Sequence, residues 1–412
     1  MKKLPIGTQT FSILREDDYL YVDKTDLVYK VTHEGRIFFL SRPRRFGKSL
    51  LISTLDAYFS GRQDLFQGLA IEKLEQEWKK YPVIRIDFSM NGYQKYENLL
   101  IALNSILREY ELDYEIEKPS DSPADRFENL IKGISKKTGK KVVVLIDEYD
   151  KPILDALYSD IEQQNRDEIK NFYGVLKNCD QYLKFIFLTG ITRVAHLNIF
   201  SGLNQLQDIS MSNKYSSICG ITENEMYSYF DDRIENMATE NEMTKEECVE
   251  KLKKMYDGYH FSPSSPDIYN PFSLLNAFSE NRFILRWFES GTPTMLIKTL
   301  EEQNADVAKF VEQVDAEESD FNNFHTNESG FLSLIYQSGY LTIKSYDRES
   351  DLYTLGLPNF EVTKGFYSNL VMKFTSLSPN SLGITAENFR KALRDKDLSK
   401  LDEVFNEFKA SL

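Results

Sequence analysis

Ile37-Phe38-Phe39-Leu40, then Ser41-Arg42-Pro43-Arg44-Arg45-Phe46-Gly47-Lys48-Ser49, then Leu50-Leu51-Ile52-Ser53-Thr54-Leu55-Asp56-Ala57-Tyr58-Phe59 is the stretch around which the rest of the chain can be read. It predicts an apolar strand, a tight basic loop and an amphipathic helix, with apolar residues at Leu51, Ile52, Leu55, Tyr58 and Phe59 on one helical stripe. Gly-Lys-Ser at the mouth of a helix is the ending of a phosphate-binding loop, where backbone N–H groups and the helix N-terminus face an anionic polyphosphate. On that reading the amides of Arg45, Phe46, Gly47, Lys48, Ser49 and Leu50 cradle the phosphates. Lys48 reaches the β- and γ-phosphates and Ser49 holds Mg²⁺. The place of the usual first glycine is taken by Arg42, and Pro43 after it has no N–H to offer. An exposed basic turn before a helix is the alternative.

Outward from this loop, Pro82–Phe88 predicts a second strand and Leu99–Tyr110 a helix. A further helix follows, with Ser122 as N-cap and Pro123 at its first position. Strands alternating with helices at this spacing imply an α/β fold with a mostly parallel sheet. Lys141-Val142-Val143-Val144-Leu145-Ile146-Asp147-Glu148 reads as a strand buried on both faces that ends in two carboxylates, at the edge where open α/β sheets bind ligands. Asp147 is the candidate for the Mg²⁺ shell, and Glu148 for polarising the attacking water. One predicted strand lies between this segment and the phosphate loop, the pattern of P-loop ATPases that carry a catalytic glutamate.

Phe185–Leu188 predicts a fourth strand, followed by Thr189-Gly190-Ile191-Thr192-Arg193. Thr189 is a candidate γ-phosphate sensor or an ordinary strand-end turn. Arg193 is a candidate for stabilising transition-state charge, in its own subunit or a neighbour's, or a surface ion pair. Gln207–Ser210 is a candidate fifth strand. Ahead of the loop, Tyr21 and Val22 are positioned to neighbour a nucleotide base, if the segment is more than an N-terminal strand and helix.

At 412 residues the chain suggests two or three domains, and its 41% hydrophobic content allows ordinary globular cores. The net charge of −14 argues against a broadly cationic nucleic-acid surface while leaving room for a local basic patch. Three scattered cysteines without metal-ligand spacing to the four histidines suit free thiols in the cytoplasm. Met1-Lys2-Lys3 is followed by no apolar signal core, and no run approaches the length of a membrane span.

After Ile221 the composition turns charged and helical, with Thr222 as an N-cap and Asn270-Pro271 and Thr292-Pro293 as helix starts. Asp257–Phe261 reads as a turn, and His260 within it is given no chemistry. From Gly330, a helix at Phe331–Ser338, strands at Tyr340–Ile343 and Leu352–Leu355 and a helix from Val362 suggest a winged-helix-like module. Its wing, Lys344–Asp351, is not basic, which favours packing or a partner protein over DNA. The expected domains are 1–220, 221–325 and 326–412, the last ending in a polar helical tail.

Taken together, Ser41–Ser49, Leu145–Pro152, Leu188–Arg193, Phe200–Asn204, Tyr256–Phe261, Tyr336–Leu341 and Leu355–Asn359 resemble the bacterial AAA-ATPase-like family, from about Pro5 to Leu370. The resemblance implies an AAA-type ATPase core with helical and winged-helix-like additions, ATP rather than GTP, and an arginine in place of the first loop glycine. Similar proteins commonly continue into a nuclease domain of the PD-(D/E)XK class. After Leu370 no strand here carries an Asp and a Glu-x-Lys, so nuclease activity is not carried over. The expected function is Mg²⁺-dependent ATP hydrolysis driving a conformational change. The alternative is a nucleotide-sensing scaffold with little turnover that presents its C-terminal module to a partner protein or nuclease. A homo-oligomer is compatible with both.

Overall fold

The computed structural model describes residues 1–89, 92–193, 206–287, 293–303, 313–322, 330–374, 379–395 and 398–411. The Phe200–Asn204 motif and the helix-start residue Thr292 lie outside the described residues.

The core is a five-stranded sheet built from β1 (Ile37–Ser41), β2 (Val83–Asp87), β3 (Val142–Asp147), β4 (Leu183–Gly190) and β5 (Gln207–Asp208). The spatial order is β2-β3-β4-β1-β5 and every pairing is parallel. The strand that follows β3 in sequence therefore inserts between β1 and β3 in space. Successive residues of the strands point to opposite faces. Phe38, Leu40, Val143, Leu145, Phe185 and Phe187 enter one apolar cluster, while Ile37, Phe39, Val142, Val144, Ile146, Ile186 and Leu188 enter another. All six residues of β3 are buried, as a strand covered on both faces requires.

On the first face lie α2 (Thr25–Glu34) and α3 (Lys48–Phe59), whose Val28, Val31, Ile52, Leu55 and Phe59 join the first cluster. On the second lie α4 (Tyr96–Asp113), α5 (Pro123–Thr138) and α7 (Glu162–Asn178), through Leu99, Leu103, Phe127, Leu130, Ile169 and Phe172. The short helices α1 (Phe11–Glu16) and α6 (Lys151–Leu154) complete this part. The cap expected at Ser122 is present: its hydroxyl accepts from Asp125 N, and Pro123 opens α5. The segment at Tyr19–Val22, open to a strand reading, is irregular apart from a single bridge between Tyr19 and Lys3.

Past residue 221, Thr222 caps the helix Glu223–Glu240 in a full capping box with Glu225, and Asn270 caps Pro271–Glu280. With the helix Lys245–Tyr256 they form a third apolar cluster, which also takes in Leu20. Further on, a helix at Gly330–Gln337 precedes strands Thr342–Asp347 and Leu352–Gly356. The hairpin is as expected. The added finding is a third antiparallel strand, Val314–Ala316, on its Leu352–Gly356 edge. Phe331, Ile335, Leu341, Leu355 and Phe366 share the first cluster with β1 and α3, so this C-terminal part is packed directly onto the sheet domain.

Candidate functional site

The register of the sheet puts the expected site residues level with one another. Leu40 of β1 pairs with Thr189 of β4, and Ile146 of β3 pairs with Leu188, one step before Asp147 and Thr189. The loop before α3, the two carboxylates and the Thr189 hydroxyl therefore meet at one strand-end edge. This is the place where open α/β sheets bind ligands.

Gly47 is the N-cap of α3, with φ +93°, a left-handed conformation that glycine adopts without strain. Nothing crowds the space a side chain would take there. No side chain caps the helix, so its first-turn amides, which begin at Lys48, remain available to an anion. Arg45 also has positive φ, +67°, an uncommon conformation for a non-glycine residue. Its guanidinium lies over Phe272 at 4.8 Å from the ring centre.

Lys48 is buried, and its ammonium donates to the carbonyls of Arg42 and Pro43 at 2.9 and 3.0 Å. Burial lowers its pKa, while Asp147, Glu148 and Asp150 oppose that shift. Asp147 is 1% exposed, and burial raises its pKa against the pull of the Ser49 hydroxyl and Lys48. Burial likewise raises Glu148, which sits in the left-handed region at φ +50°. Asp147 Oδ2 and Thr189 Oγ1 are buried with no hydrogen-bond partner among the described residues. A buried polar atom left unpaired costs about 1–3 kcal/mol; other such atoms, Asp257 Oδ1 and Oδ2 among them, lie away from this edge, and these two stand where the sheet edge would offer them a ligand group.

The residues fit Mg²⁺. No group of three or more His, Cys, Asp or Glu able to hold a metal exists among the described residues. Mg²⁺ does not need one: it keeps several waters and takes one or two protein oxygens plus phosphate oxygens. Ser49 and Asp147 face one another and supply that donor set.

Tyr21 and Val22, about 20 residues upstream of the loop, line a cleft with Gly47, Leu50, Leu51 and Thr54 of the loop and α3. Its other wall is Ile218–Ile221, Pro271 and Leu275, and it holds about 630 Å³ of empty space, open mouth included. An apolar slot beside a phosphate loop suits a flat heterocycle. The Lys24 ammonium bonds Glu225 at 2.6 Å and ties this segment to the helical part.

Two arginines are held by partners within the protein. Arg42, at the place of the missing glycine, is 1% exposed. It donates to the carbonyls of Ser41, Ser210, Tyr215 and Ser216 and stacks on Phe261 at 4.1 Å. It knits β1 to the segment after β5, which explains why this position tolerates a long cation in a phosphate loop. Arg193 pairs with Asp208 at 3.1 Å, and its backbone N–H donates to Gln337. His260 pairs with Asp267 and its N–H donates to Thr342, a structural setting.

Sequence reasoning missed Asp150. It is 1% exposed, and its carboxylate accepts from the amides of Ile191 and Thr192 and from the Thr192 hydroxyl. Its signal was visible only as the third carboxylate of Asp147-Glu148-Tyr149-Asp150.

Residues 5–200 match the model of a family described as predicted AAA-ATPase. Over 415 aligned residues the chain is 35% identical to an uncharacterized protein encoded in the vnfD 5′ region of Azotobacter chroococcum mcd 1. The alignment spans all of this chain and 78% of that protein. No described helix is long and apolar enough to cross a membrane. On the matched core and the full-length relative, the chain belongs to the AAA-ATPase-like family.

Proposed function

We propose that the protein is a Mg²⁺-dependent ATPase in which the nucleotide cycle moves the helical and C-terminal parts against the sheet. The observation that carries this reading is the convergence of Lys48, Ser49, Asp147, Glu148 and Thr189 at one sheet edge, with buried oxygens of Asp147 and Thr189 unpaired. Bound Mg²⁺ would neutralise charge on the phosphate oxygens and on the leaving group. The amides at the start of α3 bind phosphate, and Lys48 exchanges its loop carbonyls for phosphate oxygens. Ser49 and Asp147 hold the ion's shell, while Thr189 donates to the γ-phosphate. Glu148, its carboxyl raised by burial, orients the attacking water and takes its proton. Tyr21 and Val22 flank the base, which we take to be adenine.

Movement has a physical route. Phe46 of the loop packs edge-on against Tyr259 and Phe261 at 4.8 and 5.3 Å, and Trp287 Nε1 donates to the Arg44 carbonyl. A change in the loop is felt directly by these parts. We assign the units to 1–220, 221–325 and 326–412. The last has the element order of a winged helix, whose acidic wing suits a protein partner better than DNA.

A second reading, a nucleotide sensor with negligible turnover, is favoured by Arg193. Its ion pair with Asp208 would have to open before it could reach a phosphate. The test is ATP hydrolysis with and without Mg²⁺, beside nucleotide binding, for wild type, Lys48→Ala and Glu148→Gln. The ATPase reading expects Glu148→Gln to bind ATP while losing turnover by roughly 100-fold or more, and Lys48→Ala to lose both. Wild type that binds without turnover establishes the sensor, and a protein that binds no nucleotide overturns both readings.

A further inference from the structure

The turn after β3 is pinned to the tail of β4 far more tightly than a chain leaving a sheet needs to be. Tyr149 N–H donates to the Thr189 carbonyl at 3.1 Å, and Tyr149 OH donates to the Thr192 carbonyl at 2.9 Å. Asp150 Oδ2 accepts from Ile191 N at 3.1 Å, Thr192 N at 2.6 Å and Thr192 Oγ1 at 2.7 Å. No cation is bonded to this carboxylate among the described residues; two amides and a hydroxyl hold it. Between the two halves sits Gly190. A Cβ there would come within 2.4 Å of Asp150 Oδ1 and 2.5 Å of Tyr149 Cδ1, so only glycine lets the two tails approach. The same turn holds Glu148 in its left-handed conformation, closed by Lys151 N–H donating to the Glu148 carbonyl at 3.0 Å.

The clamp thus joins the residues flanking Glu148 to the residues flanking Thr189. We propose that Asp150 is a positioning residue whose bonds to Ile191 and Thr192 hold the Glu148 carboxylate and the Thr189 hydroxyl in register for hydrolysis. This inference rests on the ATPase reading above. Asp150 touches no reacting atom. It acts through Glu148 and Thr189, and misplacing groups of this kind by about 1 Å costs roughly 100-fold in rate.

The experiment measures kcat, nucleotide affinity and thermal unfolding for full-length Asp150→Asn, Thr192→Val, Thr192→Ser and Gly190→Ala. Positioning expects Asp150→Asn, Thr192→Val and Gly190→Ala to lower kcat by roughly 10- to 100-fold with nucleotide affinity nearly unchanged, and Thr192→Ser to retain activity. Asp150→Asn placed on Glu148→Gln should add no further loss, because both act on one step. Thr192→Val preserves side-chain shape and decides the matter if Asp150→Asn does not fold. Unchanged kcat with a lowered unfolding midpoint makes the clamp a stabilising staple and overturns the inference, as does parallel loss of affinity and turnover. In either case the wild-type activity keeps the ATPase reading standing. A wild type without turnover removes that reading and this inference with it.

Discussion

The buried Arg126–Glu111 pair and the buried charges at the edge of β3 and β4 are finished to different degrees. Between α4 and α5, Arg126 and Glu111 are 3% and 2% exposed. Arg126 Nε and Nη2 both donate to the Glu111 carboxylate at 2.8 Å, and Nη1 donates to Asn104. At the edge of β3 and β4, the Lys48 ammonium rests on loop carbonyls, while Asp147 Oδ2 and Thr189 Oγ1 have no partner among the described residues. A buried pair with its bonds complete is architecture, because breaking it strands a charge in apolar surroundings. A cluster left incomplete lowers the stability of the free protein and is retained where something else completes it. The contrast sets the edge of β3 and β4 apart from the completed pair; Asp257, with neither carboxylate oxygen bonded among the described residues, is a buried charge of the unfinished kind away from that edge.

The largest effect should come from breaking the finished cluster. Arg126→Ala leaves Glu111 buried and unpaired and is expected to cost about 3–5 kcal/mol, read from chemical denaturation, with nucleotide affinity of the folded fraction unchanged. A loss under about 1 kcal/mol would mean that the two clusters do not differ as described.

Next is the response of the unfinished cluster to its ligand. At a concentration 100 times Kd, Mg-ATP should stabilise the wild type by about 2.7 kcal/mol, seen as a rise in the unfolding midpoint. Asp147→Asn should lose most of the Mg²⁺-dependent part of that rise while the free variant stays at least as stable as the wild type. A free variant clearly less stable would put Asp147 among the architectural charges.

Asp257 sharpens the comparison at a third position. It is 2% exposed, with no cation bonded to it among the described residues, and burial pushes its pKa up to about 7. Asp267 and Glu223 add to that shift, and Lys253 opposes it. Lys344, whose own pKa feels Asp257, also faces this carboxylate. A carboxyl whose folded pKa lies above its unfolded value near 4 binds more protons when folded. Its contribution is full below pH 4, declines as pH rises, and is gone above about pH 7. The wild type should therefore lose about 1–3 kcal/mol between pH 5 and pH 8 that Asp257→Asn does not lose. Parallel pH profiles for the two proteins would show that Asp257 is ionised at no net cost.

The smallest effect is a control on α5 itself. Lys132 forms a half-buried ion pair with Glu128 within one helix, and Lys132→Ala should change stability by no more than about 0.5 kcal/mol.

Much of the fold was legible because its signals are local. The apolar run Val142–Ile146, the loop before α3 and the caps at Ser122, Thr222 and Asn270 each depend on residues within a few positions. The residues of the candidate site, Lys48, Ser49, Asp147, Glu148 and Thr189, each stand at the end of a strand or the start of a helix, so their placement at one edge followed from local signals. What Arg42 does in the place of the first loop glycine was not legible, because neighbours in sequence say nothing about the carbonyls of Ser210, Tyr215 and Ser216 that enclose it. The strand Val314–Ala316 was missed because three residues carry too little periodicity to read.

The sequence by itself determined most of the segments that become strands and helices, and which of their ends carry the Gly-Lys-Ser loop and the Asp147-Glu148 carboxylates. Period, caps and chain punctuation act over a few residues and need no knowledge of the partner surface. Only the tertiary structure decided that β4 inserts between β1 and β3, that Tyr21 meets Leu50 and Pro271 across one cleft, and that Asp150 closes on Thr192. Those relations join residues far apart in the chain, through strand pairing and burial that no local pattern encodes.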